Sequence, residues 1–119
     1  MGEFIIYEEM GRQLLTDFEL MILLAALRLE GDAYGVRIAR QIEEVGRRRV
    51  LLGAVYAALE RLEANGLVSS TLGNPTSERG GRARRHFTVT PRGLRAVRDT
   101  RDAFVALWQG VPQLEERSS

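Results

Sequence analysis

A mainly α-helical fold with one small β-hairpin is predicted for this chain of 119 residues by three observations. Apolar residues recur at helical spacing in four separate segments. Between the third and the fourth the period drops to that of strands, in "LVSSTL" and "RRHFTVT". The boundaries carry the expected punctuation, a glycine or a Thr-Pro pair.

The first helix is expected over residues 15–29. Thr16 followed by Glu19 makes a capping box, and Leu15 with Leu20 suits a hydrophobic staple. The run "LMILLAAL" is apolar almost all round, which predicts a central, buried helix. "EGD" breaks it, with Asp32 as cap for a second helix. That helix places Val36, Ile38, Ala39, Ile42 and Val45 broadly on one side and ends at Gly46. A third helix, about residues 52–65, turns Val55, Leu59 and Leu62 inward. Its opposite face is slim: Gly53, Ala57 and Glu60, flanked by Ala54, Tyr56 and Arg61. Gly66 suits a left-handed cap. The two strands are joined by "GNPTSERGGRA", too long and too rich in Gly and Pro for a tight hairpin, so the loop should project. Thr90 and Pro91 then open a last helix. In it Leu94, Val97, Arg101, Phe104, Trp108 and Val111 follow a 3-4-3-4-3 spacing, a seam of the coiled-coil kind.

Composition narrows the function classes. An apolar content of 45% fits a folded globule rather than a disordered tail. The absence of cysteine excludes a disulfide framework and a thiolate zinc site, and suits a reducing cytoplasm. The longest apolar run falls far short of the roughly 20 residues of a membrane span. The acidic first residues lack the basic n-region of a signal peptide. Net charge is only +1, but from Arg79 to Arg98 there are seven arginines and no acid. Lysine is absent. Arginine presents a planar fork of donors suited to phosphate and guanine.

Three helices followed by a β-hairpin make the winged helix-turn-helix arrangement. The slim face of the third helix then has a use: with nothing bulky to hold it off, it can approach the floor of a DNA major groove. In "AYG", "GAVYAALERLEANGLV" and "ERGGRARRHFTVTPRG" the chain resembles the PadR family of bacterial transcriptional regulators, from about residue 15 to about residue 110. The single C-terminal helix is similar to that of the short subfamily. The resemblance implies a cytoplasmic homodimer that binds double-stranded operator DNA and often represses. It divides the chain into an N-terminal arm or extra helix (1–14), a winged helix-turn-helix domain (15–90), a C-terminal dimerisation helix (91–112) and a flexible tail (113–119). It implies that Tyr34 and Gly35 start the second helix, and that Tyr56 reaches DNA. It also implies that Gly80, Gly81, Arg82 and Arg84 form the wing. The chain departs from the family where many relatives have serine in an "SxGxxY" phrase, since Leu51 stands there. It also carries "MGEFIIYEE" ahead of a family-like start near Met10.

The DNA-binding set expected is therefore Tyr34, Gly53, Ala54, Tyr56, Ala57, Arg61, Arg82 and Arg84. Each has a plainer alternative. Tyr34 and Tyr56 are core aromatics with wet hydroxyls or donors to phosphate. The wing arginines are a solvated loop or backbone contacts that give salt-dependent affinity without reading sequence. Arg47 to Arg49 pair locally with Glu43 and Glu44 or reach phosphate. Glu60 pairs with an arginine or accepts from a cytosine amine. Leu94, Val97, Arg101, Phe104 and Trp108 form a dimer core, or also a cleft for a planar apolar effector. His86 is expected in a strand-facing structural role. No metal site, cofactor or catalytic set is expected. The rival functions are a winged-helix adaptor that binds protein without DNA, and a small enzyme or ligand-storage protein in the dimer cleft.

Overall fold

The computed structural model describes residues 14–73 and 84–115. In order these form α1 (Asp17–Arg28), α2 (Gly35–Gly46), α3 (Leu52–Ala64), β1 (Val68–Leu72), β2 (Arg85–Val89) and α4 (Pro91–Trp108). A short 3₁₀ turn, Pro112–Leu114, follows. This is the winged helix-turn-helix arrangement, mainly helical with a two-stranded antiparallel hairpin.

Local sequence explains most of the boundaries. Thr16 Oγ1 accepts from the Glu19 amide, and the Glu19 carboxylate accepts from the Thr16 amide, so the capping box is closed. Gly66 ends α3 with φ of 78°. Thr90 caps α4 through the Gly93 amide, with Pro91 at the first helical position.

Other boundaries differ from expectation. Asp32 does not cap α2; Tyr34 stands at the N-cap without a side-chain bond, and Asp32 pairs with Arg37 at 3.2 Å. Gly46 is still helical, and Arg47 takes the left-handed position at φ 57°. Tertiary contacts hold that turn. Arg48 pairs with Asp17 at 3.2 Å and lies over the Phe18 ring, while Glu43 accepts from the Val50 amide. The arginines after α2 therefore do not pair with Glu43 and Glu44 among the described residues. α4 stops at Trp108 rather than 112, because Gln109 is extended and Gly110 is left-handed ahead of Pro112.

One core joins all these elements. Ile22 and Leu23 of α1, Ile38 and Ile42 of α2, and Val55, Leu59 and Leu62 of α3 are buried together with Leu67, Val68, Phe87, Ala96 and Val97. Each large aliphatic side chain withdrawn from water here contributes about 1.5–3 kcal/mol. Val36 and Val45 are exposed instead of joining this core. Nor is α1 buried all round, since Leu24 and Leu27 face outward.

The hairpin pairs Val68 with Val89 and Ser70 with Phe87. Its second strand is fastened to the chain before α2. Phe87 donates its amide to the Ala33 carbonyl at 2.8 Å, and Tyr34 bridges His86. α4 is fastened at both ends of its docked half. Thr90 Oγ1 donates to the Gly66 carbonyl at 2.6 Å. Thr100 Oγ1, fully buried, accepts from the Leu15 amide at 2.9 Å and donates to the Ala96 carbonyl.

Candidate nucleic-acid interface

The outward face of α3 is uncovered. Gly53, Ala54, Tyr56, Ala57, Glu60 and Arg61 are all exposed, while Val55, Ala58, Leu59 and Leu62 hold the helix to the core. A Cβ built on Gly53 meets nothing within 4 Å, so the ridge is narrow because its residues are small. Tyr56 has a structural partner as well as an exposed edge. A Cβ on Gly35 would lie 2.6 Å from its hydroxyl oxygen, so glycine at 35 makes room for this ring. Gly35 at the head of α2 thus makes the seat for Tyr56 of α3.

The base of the wing gathers around Tyr34. The Arg84 guanidinium lies 4.5 Å from the centroid of the Tyr34 ring. His86 meets the same ring edge-on, at 5.6 Å and 68°. Arg84 is therefore held by an aromatic surface on the helix-turn-helix unit. On the other side of the strand, Arg85 donates to Ser70 Oγ at 2.9 Å, and Ser70 donates to Glu63 of α3 at 2.7 Å. Tyr56, Glu60, Glu63, Arg85 and Phe87 line one open cleft of about 390 Å³ between α3 and the hairpin. The cleft thus sets Arg85, at the base of the wing, beside Tyr56 and Glu60 of α3, while Arg84 lies on the opposite face of the strand, over Tyr34.

Several expected residues are placed differently from one another. Tyr34 is half-buried and engaged by its ring, whereas Arg61 is exposed on the flank of α3. Glu60 is exposed and takes part in none of the ion pairs among the described residues. Gly80, Gly81 and Arg82 lie outside the described residues. His86 stands on β2 against Tyr34, in keeping with the strand-facing role expected of it, and period-two spacing puts it on one face of the hairpin with Arg84.

α4 divides in two. Gly93, Ala96, Val97 and Thr100 dock on the core. Val97 therefore belongs to the protomer's own interior, not to a free seam: it sits where the hairpin and α1 already cover the helix. Leu94 is half-buried. Beyond Thr100 the same stripe continues uncovered, with Phe104 54%, Leu107 75% and Trp108 60% exposed. Arg101, also on this stretch, pairs with its neighbour Asp102 at 2.9 Å.

Residues 23–99 match the model of the transcriptional regulator PadR-like family. The chain belongs to this family. A PadR family transcriptional regulator from Eggerthella lenta is similar over 99% of both chains, at 25% identity and a TM-score of 0.63. A PadR family transcription regulator from Clostridium difficile is 27% identical, with 79% of this chain and 95% of that chain covered and a TM-score of 0.60. A PadR-like regulator from Bacillus cereus shares the fold at a TM-score of 0.65, with 23% identity over 85% of this chain and 93% of that chain. None of the curated proteins compared matches the chain. As a PadR-like protein it is a DNA-binding transcriptional regulator and not an enzyme. Among the described residues no helix is long and apolar enough to cross a membrane, and no cluster of side chains suits a metal ion.

The Tyr34 geometry in this PadR-like chain gives a direct prediction. Tyr34→Ala removes both the cation–π and the edge-on aromatic contact, and is expected to lower stability by about 1–2 kcal/mol. Tyr34→Phe keeps both contacts and should leave the urea unfolding midpoint unchanged. If the two variants unfold alike, the ring does not hold the wing.

Proposed function

We propose that this regulator acts as a homodimer on a pseudo-palindromic operator, as a sequence-specific repressor. The uncovered ridge of α3, with Arg85 of the wing base lining a cleft beside its Tyr56 and Glu60, is the observation that carries this reading. Two such ridges, related by a twofold axis, enter successive major grooves about 34 Å apart. Arg84 contacts the flanking backbone, a role that Arg82, two residues earlier in the sequence, shares in this reading. Tyr56 donates its hydroxyl to phosphate from the edge of the ridge. Occupying the operator blocks the same DNA to other proteins, so repression is the sign of control that needs no further contact.

The uncovered half of α4 supplies the twofold contact. Its apolar residues continue the stripe by which the helix docks on its own core, and a second copy offers the matching stripe. Phe104 and Trp108 at that junction also offer a planar apolar effector two aromatic surfaces. Such a ligand controls operator affinity only by binding one separation of the DNA-binding heads more tightly than the other.

The test is operator binding as a function of salt, on a duplex selected from random sequence. Log affinity should fall linearly with log salt, and selected sites should show twofold symmetry with half-sites one turn apart. Replacing Arg82 and Arg84 together with alanine removes four arginines from the dimer, and should weaken binding to every sequence and reduce the slope by about 3–4. DNA binding that is absent or indifferent to salt would favour a protein-binding adaptor instead.

A further inference from the structure

The head of α3 has an unusual chemistry for a reading surface. Positions 51 to 55 are Leu51, Leu52, Gly53, Ala54 and Val55, and Ala57, Ala58 and Leu59 follow Tyr56. Val55, Ala58 and Leu59 are buried in the core, so the outward positions of the first two turns are apolar apart from Tyr56. The Tyr56 ring is committed to the space left by Gly35. The first freely extended polar side chains on this face are Glu60 and Arg61, farther along the helix.

Leu51 stands out within this surface. It is 79% exposed, and it occupies the N-cap without a side-chain hydrogen bond. Neither packing nor capping accounts for a leucine here, since the favoured N-cap residues carry an oxygen. Leu52 beside it is also partly exposed. Arg47 and Arg49 are exposed just before it in the chain, and Arg61 is exposed farther along the same helix, while Glu43 accepts from the neighbouring Val50 amide. An apolar helix head with exposed arginines before it suits a duplex, whose phosphates border a groove floor that is apolar in one place only. That place is the 5-methyl group of thymine, which no other base presents in the major groove.

We propose that this regulator reads thymine in its half-sites through the 5-methyl group, with Leu51 as the specificity-determining residue and Ala54 and Ala57 lining the same contact. The inference rests on the reading of α3 as the helix that enters the major groove. It assigns base discrimination to contact between apolar surfaces, where donor–acceptor pairing has no side chains to work with. Glu60 and Arg61 are left for bases farther along the groove.

The experiment replaces thymidine by deoxyuridine, one position at a time, in a duplex selected by the protein. The exchange removes a methyl group and keeps the base pair. Affinity is expected to fall about fourfold at each contacted position, and about sixteenfold when both half-sites are changed. Leu51→Ser should bind the thymidine and deoxyuridine duplexes alike, with the salt slope of the wild type because no charge has changed. Circular dichroism should be unaltered, since Leu51 lies outside the core. Equal wild-type affinity for the two duplexes, with strong salt-dependent binding to both, overturns methyl reading while leaving DNA binding intact. Undiminished discrimination by L51S overturns the assignment to Leu51. Failure to bind any selected duplex overturns the major-groove reading beneath it.

Discussion

The double variant Phe104→Glu, Trp108→Glu is expected to sediment as a folded monomer that has lost operator binding. Both side chains lie on the half of α4 that extends past its own core, at 54% and 60% exposed. Within one protomer their replacement removes no buried contact, so the helical signal and the unfolding of the core should change little. Between protomers the effect is large. Four aromatic side chains lose burial worth about 1.5–3 kcal/mol each, and four carboxylates face one another across the seam instead. The dimer constant should weaken by more than about 10⁴-fold. Operator affinity should follow, because one half-site no longer holds the other in place; linkage of this kind is worth about 10²–10⁴. A dimer that survives the double substitution would put the interface on another face. The exposed Leu24 and Leu27 of α1 would then be the next apolar surface to test.

The same helix shows what a sequence can and cannot reveal. The seam from Leu94 to Trp108 is visible as spacing, yet spacing does not say which molecule covers it. Val97 and Phe104 are equivalent in the pattern; one is inside its own protomer and the other is outside. The difference comes from the length of the core beneath α4, which is set by α1 and the hairpin rather than by anything in α4. Local devices read well for the opposite reason. The Thr16–Glu19 box, the Gly66 turn and the Thr90–Pro91 start depend on residues a few positions apart. Where distant residues intervene, the local rule loses. Gly46 is the natural helix end, but Arg48 on Asp17 and Glu43 on the Val50 amide move the left-handed residue to Arg47.

The interface divides in the same way. The slim ridge of α3 could be read directly, because helical periodicity fixes which residues oppose Val55, Leu59 and Leu62. The aromatic seat of Arg84 could not, since Tyr34 and the hairpin are joined only through tertiary contact. From sequence, Tyr34 is a core aromatic or a donor to phosphate. Its ring is occupied within the fold, which makes Tyr34 a support for the wing whatever its hydroxyl touches.

Gly93→Ala should destabilise the protomer by about 3 kcal/mol, the upper part of the range for overpacking a core. The added methyl would run into the Leu67 carbonyl and lie 2.9 Å from Val89 Cγ1. The carbonyl cannot swing aside like a flexible side chain. It accepts the Thr90 amide at 3.0 Å, and that bond helps to seat the start of α4. The Thr90 hydroxyl holds the preceding carbonyl, that of Gly66, so the whole corner between α3, β1 and α4 would have to shift. Intrinsic helix preference acts in the other direction, favouring alanine by about 0.5–1 kcal/mol, but is too small to offset the collision. Gly53→Ala provides the control. It is also a glycine in a helix, but with nothing within 4 Å of the new carbon. There the preference should act alone, leaving the protein as stable as the wild type or slightly more so in urea unfolding. On DNA the ranking should reverse. G53A thickens the ridge that meets the groove floor and should weaken operator binding. G93A, measured where it remains folded, should keep its half-site preference. Equal stability losses for the two variants would mean that the corner at Leu67 is soft, and that α4 is held to its protomer mainly by Thr100 and the apolar contacts of Ala96 and Val97.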